Sequence, residues 1–430
     1  MNSSFLSNTR LSIMYVFLGI LTATNIPYAF KIGNTYLSYI VLLSFILVVY
    51  NSFFPKRLSN LKSVDKSILL FLFIATLSIL QVLIYSMEIS GLLDKYLKGI
   101  VTLGLNVVIY FAVIMRPDQK KAVLRGIIIG FALNVSYGLY QYLGNKNGFP
   151  FTNLSNLFPQ GDYGNELVYF NYVSGFFLEP AHLLKFFCGS FLVSLIYWKS
   201  SYFKTMIFCI ALFVLLVSTS SLVVILLGGL ILFYVFCNYN KFNLKKLKNQ
   251  GYQLKIKSVT GILVFWIFLL SISLFLNWET ILSNFNIERY LNFIFEGLSI
   301  SEDSTSSVRA SSMFNALSLI AEYPLGAGLN SSATLMLINF PGSTVGGATF
   351  NGFITSILEL GIIGLFSYFY IFVNSIRQLY VNNNSKYEIA LAVALFTAFI
   401  ATNLEGAIFS ELIWVLLGLS TISRREFITA

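Results

Sequence analysis

Residues 67–86 read SILLFLFIATLSILQVLIYS, twenty positions without a charge. A helix rises about 1.5 Å per residue, so this run covers about 30 Å, the thickness of a bilayer's hydrocarbon core. In lipid, a single segment satisfies its backbone polar groups internally only as a helix. The run therefore reads as a membrane-spanning helix. Similar apolar runs recur on both sides of it, at 11–30, 35–54, 99–115, 122–143, 175–197, 205–218, 221–237, 259–277, 351–372, 388–403 and 408–422. The expected fold is all-α: a polytopic membrane protein of about twelve transmembrane helices, forming one integral membrane domain over residues 1–430. Composition agrees, with 57% hydrophobic, 17% aromatic and 11% charged residues. A soluble domain carries about 25% charged residues.

The charges orient the chain. With the N-terminus in the cytoplasm, 21 of the 28 Lys and Arg residues fall in cytoplasmic segments, the densest being 238–258. This is the bias that sets membrane topology, and it places both termini in the cytoplasm. The net charge of +10 is spread over short loops between apolar runs, which argues against nucleic acid as a partner and for the lipid bilayer. Cys188, Cys209 and Cys237 all sit in apolar runs, with no spacing suited to a metal or a disulfide framework. No phosphate-binding Gly-rich loop with a following Lys and no Gly-x-Ser-x-Gly elbow is present. Two extracytoplasmic loops remain, 144–174 and the larger 278–350. Their aromatic and apolar content predicts structured loops. An amphipathic helix is expected near 305–322, opened by Ser304 and Thr305 and stopped by Pro324 and Gly326.

Three clusters carry the chemistry-bearing residues. In SGFFLEPAHLLK (174–185), Pro180 opens a helix, and Glu179, His182 and Lys185 fall on one broad face at the extracytoplasmic mouth. Glu179 is read either as a helix cap or as a functional acid; His182 is the only histidine in the chain. Arg309 lies in the first turns of the amphipathic helix, where it either meets an anion or pairs with a headgroup or an acid. Arg289 is the other arginine of that loop, with the same two readings. In NGFITSILELGIIGLF (351–366), Asn351, Thr355 and Glu359 make a polar stripe four residues apart. Glu359 there either contacts substrate or pairs with a Lys or Arg, and Glu405 and Glu411 near the last outer turn are similar cases.

Together these stretches resemble a known family. SGFFLEP (174–180) opening a span after an aromatic outer loop is similar to the "SGxFxEP" signature of bacterial O-antigen polymerases of the Wzy type. YPLGAG (323–328), FNGFI (350–354) and LELGIIGL (358–365) resemble the "PLxGxG … HN … ExGxxGL" pattern shared by O-antigen polymerases and ligases. The likeness covers about residues 165–370. Phe350 stands where ligases carry a His, which favours a polymerase.

The resemblance implies a membrane glycosyltransferase of the bacterial inner membrane, its site facing the periplasm. Undecaprenyl-diphosphate-linked oligosaccharide would be both donor and acceptor, with no cofactor or metal and with a chain-length regulator protein as a partner. In that chemistry Glu179, His182 and Arg309 are the expected catalytic residues, while Lys185, Arg289, Asn351, Glu359 and Glu405 are expected to contact substrate. Alternatives are a ligase acting on lipid A core, a capsule or exopolysaccharide polymerase, and a lipid-linked oligosaccharide flippase.

Overall fold

The computed structural model of the chain describes residues 3–23, 30–32, 35–53, 62–87, 89–150, 173–177, 180–199, 201–218, 223–244, 305–341, 349, 351–382, 386–404 and 410–422. Among these the fold is helical apart from one hairpin, in which β1 (Phe30–Ile32) pairs antiparallel with β2 (Thr35–Leu37). The helices before the first long loop are α1 (Ser3–Leu21), α2 (Tyr39–Phe53), α3 (Ser63–Leu77), α4 (Ile79–Tyr85), α5 (Leu92–Ile114) and α6 (Lys120–Asn147). After it come α7 (Pro180–Tyr197), α8 (Tyr202–Val217) and α9 (Val223–Leu244), then α10 (Thr305–Glu322), α11 (Ser332–Asn339), α12 (Gly352–Asn382), α13 (Lys386–Leu404) and α14 (Glu411–Thr421).

Five stretches are long and apolar enough to cross a membrane: Ser63–Tyr85, Leu92–Ile114, Pro117–Asn147, Gly352–Leu379 and Lys386–Leu404. Shorter apolar helices cover Thr9–Leu21, Tyr39–Phe53, Ala181–Tyr197, Tyr202–Leu215, Ile225–Val235 and Glu411–Thr421. Phe17, Phe73, Ile84 and Phe366 are each more than half exposed. An apolar surface of this kind suits lipid rather than water. The protein is a helical membrane protein. The run at 259–277, most of the loop 144–174, and residues 278–304, 342–348 and 350 of the larger loop lie outside the described residues.

α14 stands in the middle: Leu412 to Thr421 are all buried. A helix apolar on every side belongs in the interior. α13 packs beside it and also touches α7, α9 and α12. α12 lies along α3, α5 carries α2 and α14, and α6 carries α1, α7 and α8. The α1–α6 crossing is the closest-packed of these. An ideal Cβ on Gly126 would fall 2.8 Å from the Gly19 Cα and collide with the Val16 carbonyl. Gly126, Gly130, Asn134 and Gly138 repeat every four residues on α6, the small-residue stripe that lets membrane helices approach closely.

One end of the bundle is tied by polar groups. The carbonyls that end α14 accept from Lys62 Nζ (to Thr421, 2.7 Å), Gln378 Nε2 (to Thr421, 2.9 Å) and Lys120 Nζ (to Ile422, 3.1 Å). Cations there oppose the helix's negative end as well as satisfying its orphan carbonyls. The Tyr110 hydroxyl donates to Asp65, whose carboxylate also takes the Lys62 amide.

One run that reads as a single span is broken: α12 departs from helical geometry at Gly361 (φ 69°, ψ −175°). Residues 67–86 are only slightly irregular at Ser78, between α3 and α4, where the backbone angles stay helical and the bonds to Ile74 and Val82 are kept. The same loop lies against both places.

Candidate functional site

The bend in α12 is sharp. The rings of Phe353 and Phe369 stack with centroids 5.1 Å apart and planes 7° apart. In a straight helix, residues sixteen positions apart are separated by about 24 Å. The first leg of α12 (352–360) therefore doubles back along its second leg (362–382). A bend frees carbonyls in the preceding turn, and in lipid these need partners. The glycine-rich loop after α10 supplies them: Ala327 N–H donates to the Leu358 carbonyl (2.9 Å) and Gly328 N–H to the Glu359 carbonyl (2.8 Å).

This docking explains the glycines. Gly326, Gly328 and Gly361 all have positive φ, the region that suits glycine. An ideal Cβ on Gly326 would lie 2.5 Å from the Glu359 carbonyl oxygen, and one on Gly361 would lie 2.7 Å from the Leu325 carbonyl. The YPLGAG and LELG stretches are thus two halves of one backbone joint. The loop also reaches the α3–α4 junction, where Leu329 N–H donates to Ser78 Oγ (3.2 Å). Asn330 Nδ2 donates to the Lys95 carbonyl at the start of α5 (3.0 Å). Ser78 lies about 10 Å along the helix axis from Tyr85, counting 1.5 Å per residue, so the loop runs back alongside α4 into the bundle.

Glu359 sits at the centre of the joint and is 3% exposed. Its carboxylate accepts from Ser332 Oγ (2.7 Å) and from the amides of Asn330 and Ser332. It therefore caps the start of α11, where a helix has unsatisfied N–H groups and favours negative charge. Its partners are a hydroxyl and backbone amides rather than the Lys or Arg that the structural reading of the sequence expects.

Asn351 begins the first leg of α12. Its Oδ1 accepts from the amides of Phe353 (3.0 Å) and Ile354 (3.2 Å), a helix cap. Thr349 and Thr355 share a hydroxyl hydrogen bond of 2.5 Å beside it. Its Nδ2 lies 3.9 Å from Met313 Sδ, a weak acceptor on α10. Position 309 is one turn before Met313 on the same face of α10. So α10, which carries Arg309 one turn before Met313, passes beside the start of the first leg of α12. The side chain of Arg309 lies outside the described residues, and so do Glu179, Arg289 and Glu405 entirely. α10 buries Ser312, Ala316 and Leu319 against the bundle and turns Phe314 and Leu317 outward. Its far end is pinned where the Tyr323 ring meets that of Tyr85 edge-on at 4.9 Å.

The lead-in to α7 is a second irregular segment held by side chains. Residues 174–177 form a turn, with Phe177 N–H donating to the Ser174 carbonyl (3.2 Å) and Gly175 at φ 61°. Gln141 Oε1 accepts from the amides of Ser174 (3.1 Å) and Gly175 (2.7 Å), and Asn134 Oδ1 accepts from that of Phe176 (2.9 Å). Phe176 stacks on Tyr137 at 4.5 Å. Asn134, Tyr137 and Gln141 occupy one face of α6. Sequence reasoning missed the roles of Asn134 and Gln141. Their signal was two amides seven positions apart inside an apolar run.

His182 and Lys185 are partly buried in the first turns of α7, close enough to interact electrostatically. Thr397 Oγ1 of α13 donates to the Cys188 carbonyl (2.6 Å). Counting outward from that contact along antiparallel helices brings His182 level with Asn403. Asn403 Nδ2 in turn donates to the Tyr368 hydroxyl on α12 (2.9 Å). α13 thus stands between the His182 cluster and the α12 joint, in contact with both helices. No family model matches this chain, and no curated protein matches it.

Proposed function

We propose that the protein is a membrane glycosyltransferase that polymerises undecaprenyl-diphosphate-linked oligosaccharide repeat units, in O-antigen synthesis at the periplasmic face of a bacterial inner membrane. The reading takes twelve spans with both termini in the cytoplasm. The second leg of α12, 362–382, is long enough to cross the bilayer alone. Such a donor has a diphosphate at the lipid surface and an isoprenoid tail in the bilayer, so its site belongs at the outer boundary between spans.

In the reaction the acceptor hydroxyl oxygen bonds to the donor's anomeric carbon and the bond to the phosphate oxygen breaks. The diphosphate leaves on its lipid, and the hydroxyl proton passes to a base. Arg309, assisted by Arg289 and Lys185, is assigned to the charge that develops on the leaving diphosphate, because arginine grips phosphate in a bidentate fashion. Glu179 or His182 takes the hydroxyl proton, while Asn351 and Glu405 contact the sugars. The observation that most supports this reading is the contact of Asn351 with Met313, which puts the arginine-bearing helix α10 beside the start of α12.

A second reading, a flippase for the same lipid-linked oligosaccharide, draws support from the break at Gly361, since broken helices recur in transporters. Gel analysis of lipopolysaccharide from a null strain separates the two. A product of core plus a single repeat, reproduced by Arg309→Ala, is the polymerase outcome. Bare core favours a flippase or a ligase. Normal long chains would sink all three.

A further inference from the structure

We propose that Glu359 is a positioning residue: by capping α11 it locks the loop 324–331 into the break of α12, and so fixes the height of α10 and of Arg309. This rests on the reading of Arg309 as the group that meets the diphosphate. The mechanical part stands on contacts alone. The loop runs directly from the end of α10, where Tyr323 N–H still bonds the Leu319 carbonyl (2.9 Å). Four residues on, Ala327 is fully buried and bonded to the broken helix, and Leu329 is 6% exposed beside Ser78. The backbone bonds from Ala327 and Gly328 hold the loop to α12 at one point, and the Glu359 carboxylate holds it at a second point through Ser332 and the amides of Asn330 and Ser332.

Both points sit within one turn of Gly361, so the loop cannot shift along α12 without breaking both. α10 is joined to the loop without a spacer, and α10 packs on α12. A loop that slips outward therefore carries α10 away from Asn351. The glutamate's length matters, because it spans from the first leg of α12 to the first turn of α11. Its charge matters less, since a glutamine offers the same acceptor oxygen to Ser332 and to one amide.

The test uses Ala327→Cys as a reporter in a full-length chain whose Cys188, Cys209 and Cys237 are serine, with Leu329→Cys as a second reporter if the first impairs folding. Membranes are treated with a small maleimide and the labelling rate is measured, beside the chain-length ladder on the cell surface. Losing a buried carboxylate's hydrogen bonds raises the open population, so Glu359→Ala should speed labelling about tenfold or more. It should also shorten the ladder towards one repeat, while Glu359→Gln restores both readouts. A cysteine that stays shielded in Glu359→Ala overturns the lock. So does a ladder lost in Glu359→Gln with the cysteine still shielded, because the carboxylate would then act on substrate. Faster labelling with an unchanged ladder overturns the positioning role. Labelling needs no assay of activity, so failure of the polymerase reading is visible separately, as a null strain with normal chains.

Discussion

Gln141 engages the turn before α7 with both ends of its amide: the oxygen takes two backbone N–H groups and the nitrogen lies 3.3 Å from the Gly175 carbonyl. The residue is 2% exposed, so water cannot replace it. Gln141→Leu leaves two amides without an acceptor, at about 1–3 kcal/mol each. The expected result is a lower unfolding temperature in detergent. Equal stability of Gln141→Leu and wild type would show that the turn is held elsewhere. Single residues were legible in the sequence mostly as types at a depth. Glu359 is conspicuous as an acid inside an apolar run, but its partner Ser332 lies in a stretch with no such signal. Asn134 and Gln141 carry no charge and drew no notice, although they do for 174–177 what Glu359 does for 330–332.

At the scale of elements, helices were readable where apolar length decides. The break at Gly361 was not, because it sits inside a continuous apolar run. The loop that bonds the carbonyls before it lies 35 positions earlier, by the numbering of Gly326 and Gly361, and also reaches Ser78, some 250 positions away. The stretches YPLGAG and LELGIIGL contain these glycines, but nothing in the sequence shows that the two stretches meet. Helix crossings were equally silent: Gly19 and Gly126 look like ordinary glycines until α1 and α6 are seen in contact. Gly126→Leu should force these helices apart, at about 1–3 kcal/mol or more for an overpacked contact. Gly104→Leu on α5, where an added Cβ meets nothing within 4 Å, is the matched control. Comparing the yield of monodisperse protein in detergent checks this, with loss expected for Gly126→Leu alone. Equal yields would mean the close crossing is not needed.

For the whole molecule, bulk apolarity announced a membrane protein, and charge placement offered an orientation in which the Lys62, Lys120 and Thr421 end faces the cytoplasm. In that orientation the loop 324–331, the first leg of α12 and the lead-in to α7 all lie towards the opposite face. Among the described residues, these irregular segments lie towards that one face. The sequence could not show this, because they are remote from one another in the chain. The most direct test is reconstitution of the purified protein in liposomes with an undecaprenyl-diphosphate-linked repeat unit and no nucleotide sugar. The expected result is lipid-linked chains of two or more repeats, with one undecaprenyl diphosphate released per linkage formed, and loss of both in Arg309→Ala. Movement of the repeat unit across the bilayer without any new glycosidic bond would contradict it.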